Sequence, residues 1–81
     1  MSATVVYQPI KGKALDVGAP SSFVGALERA FGQRPWTLTD RDYYTLQGLA
    51  AGLDSIDQRE AVEELAEAVR QHGEIRVWAE Y

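Results

Sequence analysis

The sequence contains no cysteine, a single methionine and a single histidine, His72. Without cysteine the chain can form no disulfide bond and offers no thiolate, which is typical of proteins from reducing compartments. One histidine is too few for the usual zinc sites and leaves little choice of base for catalysis. The motifs of phosphate-binding loops, dinucleotide-binding turns and nucleophile elbows are also missing. We therefore expect a protein that is not an enzyme and that needs no metal or other cofactor.

The sequence also lacks a long apolar run and an excess of basic residues. No segment approaches the about 18 apolar residues of a membrane span, and the N-terminus lacks the pattern of a signal peptide. We therefore expect a cytoplasmic protein that does not bind membranes. Asp and Glu together number 12 against 8 Lys and Arg, which gives a net charge of −4. Because affinity for nucleic acid depends on cations that neutralise phosphates, we expect no direct nucleic-acid binding.

The length of the chain, 81 residues, indicates a single domain over residues 1–81. A domain of this size buries a modest part of its surface, so a homodimer or a tight complex with another protein would add stability. The last predicted strand lies close to the C-terminus. If that strand occupies a sheet edge, it could pair with a second chain, which favours a possible homodimer.

Apolar residues recur at helical spacing in three segments of the sequence. The first segment is Ser22–Phe31 and the second is Asp40–Leu53, preceded by Thr39. Thr39 and Asp42 resemble a capping box in which aspartate replaces the usual glutamate. The third helix is expected over residues 57–72, with carboxylates opposite its apolar side.

Two start signals overlap at the beginning of the third helix. Ser55 could cap it together with Gln58, and Asp57 could cap it together with Glu60. We predict the second start, because the apolar Ile56 directly precedes Asp57. At the other end, a glycine at position 73 is a good terminating residue.

Four segments have the composition or the alternation of strands, namely 4–8, a weaker 13–17, 36–38 and 74–81. Three amphipathic helices need a common apolar surface, which a sheet can supply. The sequence therefore predicts an α+β two-layer sandwich with three amphipathic helices on one face of a three- to four-stranded sheet. The expected core contains Phe23, Leu27, Phe31, Leu46, Leu53, Val62, Leu65, Val69, Ile75 and Val77.

The first candidate for a partner-binding surface is the acidic side of the third helix. Asp57, Glu60, Glu64 and Glu67 are spaced three or four residues apart, about one helical turn, and we call them the acidic line. Such a line suits lysines and arginines on a basic protein surface, for example that of a nucleic-acid-binding protein. The alternative is that these carboxylates simply form a solvated helix face, as most such runs do.

The second candidate is Trp78, which alternation places beside Glu74, Arg76 and Glu80 on the face of the last strand that should meet solvent. Tryptophan and arginine are enriched at interface hot spots, so Trp78 and Arg76 are predicted to bind a partner. Tyr44, which lies off the apolar stripe of the second helix, is a further possible anchor. The alternative for Trp78 is packing against an aromatic residue of a neighbouring strand, either Tyr7 or Trp36.

Two other groups of polar residues have simpler explanations than catalysis or metal binding. His72 is predicted to cap the end of the third helix, where a cation is favoured by the helix dipole. Asp54, Asp57 and Glu60 are spaced three apart, but they lack the alternating ligands and central glycine of a calcium loop. Helix capping explains them without a metal.

In size, acidity and lack of catalytic motifs, the chain resembles small proteins of phages or mobile elements that block a host complex, such as anti-CRISPR proteins. The likeness is one of general type and assigns no residue a role. It implies a non-enzymatic protein-binding module that acts as an inhibitor or adaptor. The alternative is a small enzyme or ligand-binding protein that uses carboxylates and His72.

Overall fold

A computed structural model of the chain describes residues 4–16, 22–33 and 35–80, with the backbone alone at positions 4, 16, 22 and 23. The fold has the predicted α+β composition, with three helices and an antiparallel sheet. In chain order the elements are β1 (Thr4–Pro9), β2 (Leu15–Asp16), α1 (Ser22–Phe31), β3 (Trp36–Thr39), a 3-10 turn (Asp40–Asp42), α2 (Tyr43–Ala51), α3 (Ile56–His72) and β4 (Glu74–Glu80).

The strands are ordered β2-β1-β4-β3, and all neighbours are antiparallel. Three of them, β1, β4 and β3, form the main sheet, and β2 adds two residues at the outer edge of β1. The prediction that the C-terminal strand lies at an edge is wrong, because β4 inserts between β1 and β3 and pairs with both. Both edges of β4 are therefore occupied within the chain, so this strand cannot pair with a second copy.

One face of the sheet, which we call the inner face, carries the core. Residues that lie directly opposite each other in an antiparallel pair share a face. Val77 lies opposite Tyr7 on one side and Trp36 on the other, and Ile75 lies opposite Leu38. These residues form a single buried cluster with residues of all three helices. The helical members are Val24, Leu27, Leu46, Ala50, Ala61, Val62, Leu65, Ala66, Ala68 and Val69.

The predicted core is largely the observed one. Seven of its members are buried: Leu27, Leu46, Val62, Leu65, Val69, Ile75 and Val77. Phe31 and Leu53 are partly buried and pack against the cluster, whereas the side chain of Phe23 lies outside the described residues. The prediction did not include Trp36 and Leu38, which are 3% and 2% exposed, because a strand of four residues is too short to show which of its sides is buried.

The helix ends show one confirmed prediction and one error. The capping box at the 3-10 turn is present, since the backbone N–H of Thr39 donates to Asp42 Oδ2 over 2.9 Å and Arg41 N–H donates to the Thr39 hydroxyl over 3.3 Å. The start at Asp57 is wrong, because α3 begins one residue earlier and Ser55 caps it by accepting from the N–H of Gln58 over 3.3 Å.

The predicted second helix is longer than the observed one. Residues Asp40–Asp42 form the 3-10 turn, and α2 ends at Ala51 with Gly52 as its C-cap. At the end of α3, Gly73 has φ of 81° and its N–H donates to Val69 O over 2.8 Å. This left-handed conformation favours glycine and reverses the chain into β4.

Candidate partner-binding surfaces

The structure divides the predicted partner-binding residues between two opposite sides of the molecule. The buried side of α3 packs on the inner face of the sheet, and the acidic line lies on the exposed side of that helix. Arg76 and Trp78 alternate with the buried Ile75 and Val77 along β4 and therefore lie on the other face, which we call the outer face. A single flat partner surface cannot contact the acidic line and Trp78 together.

The outer face is centred on Arg76. The strand register places Arg76 directly opposite Gln8 of β1 and directly opposite Thr37 of β3. Two residues further along β4, Trp78 is partly buried and lies opposite Val6. Val6 is 6% exposed yet does not belong to the core cluster of the inner face. Arg76 and Trp78 therefore lie two residues apart on the outer face, where Val6 is the apolar neighbour of Trp78.

The register excludes the alternative that Trp78 packs against Tyr7 or Trp36. Both of these aromatic side chains lie on the inner face, where Tyr7 is 7% and Trp36 is 3% exposed. Trp36 Nε1 donates to Gly32 O over 2.8 Å, which satisfies the buried indole. Trp78 Nε1 instead donates to Glu80 Oε1 over 3.1 Å on the same face.

An open groove of about 600 Å³ surrounds Trp78 and Arg76. It is lined by Gln8, Pro35, Trp36, Thr37, Arg76, Trp78 and Ala79. We call it the outer groove. Its polar side chains come from three adjacent strands, and the ring of Pro35 and the indole of Trp78 add apolar surface. Aromatic and arginine side chains at a concave surface are typical of protein interfaces.

The acidic line lies on the helical surface and is partly engaged within the protein. Glu67 forms an ion pair with Arg70 at 3.1 Å, in which both side chains are well exposed. Glu64 lies close enough to the hydroxyl of Tyr7 to influence its ionisation. Burial raises the pKa of Tyr7, and the charge of Glu64 and hydrogen bonding to its carboxylate raise it further. Two of the four carboxylates therefore have partners within the fold, while Asp57 and Glu60 are exposed.

Tyr44 belongs to the helical surface rather than to the outer face. It is 80% exposed and meets the ring of Tyr43 edge-on, with centroids 5.4 Å apart. Arg70 lies 5.9 Å from the centroid of Tyr43 and is paired with Glu67. The structure thus places Tyr44 near one end of the acidic line and separates it from Trp78.

The surroundings of His72 offer little for acid–base chemistry. His72 is exposed as the last residue of α3 and lines a shallow groove together with Pro9, Ile10, Lys11 and Gln71. Of the described residues that line this groove, none is a carboxylate. Within residues 4–16, 22–33 and 35–80, no group of three or more acidic or histidine side chains is placed to hold a metal ion.

Gln8 and Thr37 are candidate site residues that the sequence did not indicate. Both are polar residues in strands, and the alternation of each strand shows at most that they share a face with their second neighbours. Their position beside Arg76 depends on the strand order, which no local pattern encodes.

Among the helices that the structure describes, none is long and apolar enough to cross a membrane. No known protein family, curated protein or solved structure matches the chain.

Proposed function

We propose that this chain is a non-enzymatic protein-binding module that acts as an inhibitor or adaptor by docking its outer face on a protein partner. The observation that carries the proposal is the outer groove, in which Trp78 and Arg76 line one concave surface. This mode of action is the one implied by the likeness to anti-CRISPR proteins. The acidic line forms a second surface, which guides a partner with basic patches through long-range attraction.

The proposal includes the arrangement of the layers. We propose that all three helices lie on the inner face, so that the outer face is free for a partner. In support, buried residues of α1, α2 and α3 share one cluster with the inner-face residues of the strands. Arg76 and Thr37, by contrast, are exposed on the outer face.

Protein binding explains the described side chains better than catalysis does. A catalytic site needs a base, a nucleophile or an electrophile in mutual contact. His72, the one histidine of the chain, lines a groove whose other described lining residues are a proline, an isoleucine, a lysine and a glutamine, none of which is a carboxylate. Trp78 and Arg76, by contrast, are residue types that supply much of the binding energy at interfaces.

The experiment compares Trp78→Ala with Tyr44→Ala in affinity capture from the source organism, followed by kinetics with the purified partner. We expect Trp78→Ala to abolish capture and to raise the dissociation rate at least about tenfold, since a central aromatic anchor contributes 2 kcal/mol or more. Tyr44→Ala is the matched control, because it removes an exposed aromatic from the opposite side. Both variants must keep the circular dichroism spectrum and the unfolding midpoint of the parent protein.

Three results are informative. Loss of binding in Trp78→Ala alone supports the outer face. Loss in Tyr44→Ala alone shifts the docking site to the helical surface. Full binding by both folded variants contradicts the proposal.

A further inference from the structure

Among the residues that the structure describes, Arg76 is the only charged one that lines the outer groove. Its side chain is exposed, and it takes part in no ion pair within 4 Å among the residues described, where the one such pair joins Arg70 and Glu67. Glu80, on the same strand, accepts the hydrogen bond of Trp78 instead. The groove therefore presents a free guanidinium beside an aromatic ring.

We propose that the outer groove binds an extended segment of the partner protein that carries an aspartate or glutamate and, two residues away, an apolar side chain. The inference rests on the proposed function and specifies the chemistry of its partner. Arginine is the side chain best suited to bind a carboxylate, because its guanidinium can form two parallel hydrogen bonds with the two oxygens. The apolar side chain would lie on Trp78 and Pro35.

The spacing follows from the strand geometry. Arg76 and Trp78 are two residues apart on β4, so their Cα atoms are separated by about 6.5–7 Å. Alternate side chains of an extended peptide have the same separation, so one peptide can present its carboxylate to Arg76 and its apolar group to Trp78.

The neighbours of Arg76 support a carboxylate ligand. Thr37 lies directly opposite Arg76 and is exposed, so its hydroxyl can donate to the same carboxylate. On the other side, Gln8 Nε2 donates to Gly12 O over 3.1 Å, which holds the amide in place beside the guanidinium. The groove thus combines a cation with a hydroxyl donor on the adjacent strand.

Pairing of the partner with the edge of β3 is a less suitable mode of binding. Asp40 N–H donates to Gly73 O over 3.1 Å, so by alternation the backbone groups of Leu38 face β4, whereas those of Thr37 and Thr39 face outwards. Thr39 N–H is already taken by Asp42, and Pro35 has no N–H. Of Pro35, Thr37 and Thr39, Thr37 alone has an outward-facing N–H that is not already bonded. The edge is therefore too short for stable strand addition.

Phosphate groups are also less suitable ligands than a carboxylate. The described residues that line the groove offer one guanidinium, in a chain whose net charge is −4. Nucleic-acid sites neutralise several phosphates at once. A single carboxylate needs a single guanidinium.

The test is a selection of random peptides on the immobilised full chain, followed by affinity measurements by fluorescence polarisation. Peptides selected by the parent protein should carry an acidic residue two positions from an apolar one. Arg76→Gln should weaken their binding about tenfold or more, as expected for loss of a charge-assisted hydrogen bond. Arg41→Gln is the matched control, because it removes an exposed arginine outside the groove and should leave the affinity unchanged.

A charge reversal separates recognition from a structural effect. Selection on Arg76→Glu should yield peptides with lysine or arginine in place of the acidic residue, which a merely structural role of Arg76 would not cause. The same acidic peptides from both proteins would overturn the inference. So would peptides that match a segment of this chain's own sequence, together with self-association in light scattering, because the occupant would then be a second copy.

Failure of the inference and failure of the proposed function give different results. If the parent protein selects peptides without an acidic residue while Trp78→Ala still abolishes partner capture, only the carboxylate chemistry is wrong. If Trp78→Ala captures the partner normally and no peptide depends on Arg76, the outer face is not a docking site.

Discussion

At the scale of single residues, Tyr7 connects the sheet to the acidic line. Its ring is buried on the inner face, and its hydroxyl lies close to Glu64 on α3. Burial and the neighbouring carboxylate both disfavour the phenolate, so the pKa of Tyr7 lies above its ordinary value of 10.0 in the folded protein. The folded state therefore holds this proton more tightly than the unfolded state does.

The pH dependence of stability should report this contact. The contribution of Tyr7 is complete below pH 10 and is lost as the pH rises through 10 towards the raised pKa of the folded state. We expect Tyr7→Phe to cost about 1 kcal/mol at neutral pH, through loss of the interaction between the hydroxyl and Glu64, and to lose less stability than the parent above pH 10. Urea titrations across this range measure both effects. Parallel curves for the two proteins would show that Tyr7 does not titrate as described.

At the scale of elements, two glycines differ in backbone conformation, since one is helical and the other has a positive φ. Gly48 lies within α2, and a Cβ built there meets no atom within 4 Å. Gly73 ends α3 with φ of 81°, where a Cβ also meets nothing but the backbone conformation is strained for other residues. There is therefore space for a Cβ at both sites, and the two sites differ only in their backbone conformation.

Alanine substitutions at these two positions should have effects of opposite sign. Gly48→Ala should raise the free energy of unfolding by about 0.5–1 kcal/mol, because alanine favours the helix. Gly73→Ala should lower it by about 1 kcal/mol or more, because alanine rarely adopts positive φ. Chemical denaturation measures the two differences. A destabilised Gly48→Ala variant would mean that the helix conformation at this position is strained, and an unaffected Gly73→Ala variant would mean that α3 ends differently.

The ends of the elements were predictable where the signal was strong and local. The capping box of Thr39 and Asp42 was recognised because both residues lie within one turn. The start of α3 is not predicted correctly, because two caps overlap within three residues and the local pattern fits both Ser55 and Asp57. Local patterns alone could not separate these two starts.

At the scale of the whole molecule, the acidic line and the outer groove lie on different surfaces, and the proposed function gives them different roles. In that proposal, the carboxylates influence a partner from a distance, whereas the groove holds it in contact. Glu60 is the best position for testing the first effect, because Glu64 and Glu67 already interact with Tyr7 and Arg70. Its side chain is exposed near the middle of the line.

Glu60→Gln and Glu60→Lys form a graded series that removes one and then two units of negative charge. With the captured partner, we expect the association rate at low salt to fall in that order, by about two- to tenfold, while the dissociation rate changes little. The differences in association rate should disappear at about 1 M salt, because the Debye screening length is then about 3 Å. Stopped-flow or surface-binding kinetics measure both rates. Equal association rates at low salt would identify the acidic line as a solvated face.

The sequence by itself determined the parts of this protein that depend on neighbouring residues. The 3.6-residue period located three helices, including α1 at its observed bounds Ser22–Phe31. Alternation along β4 separated Ile75 and Val77 from Arg76 and Trp78, as the structure confirms. Such patterns can be recognised in the sequence because buried residues repeat along the chain with the period of the helix or the strand.

Only the tertiary structure decided which strands are neighbours and in what register. The central position of β4 brings Gln8 and Thr37 to either side of Arg76, although these residues are far apart in the sequence. It also placed Trp36 on the inner face and Trp78 on the outer one. A shift of one residue in either pairing would exchange those faces, and the burial of the whole core selects the observed register.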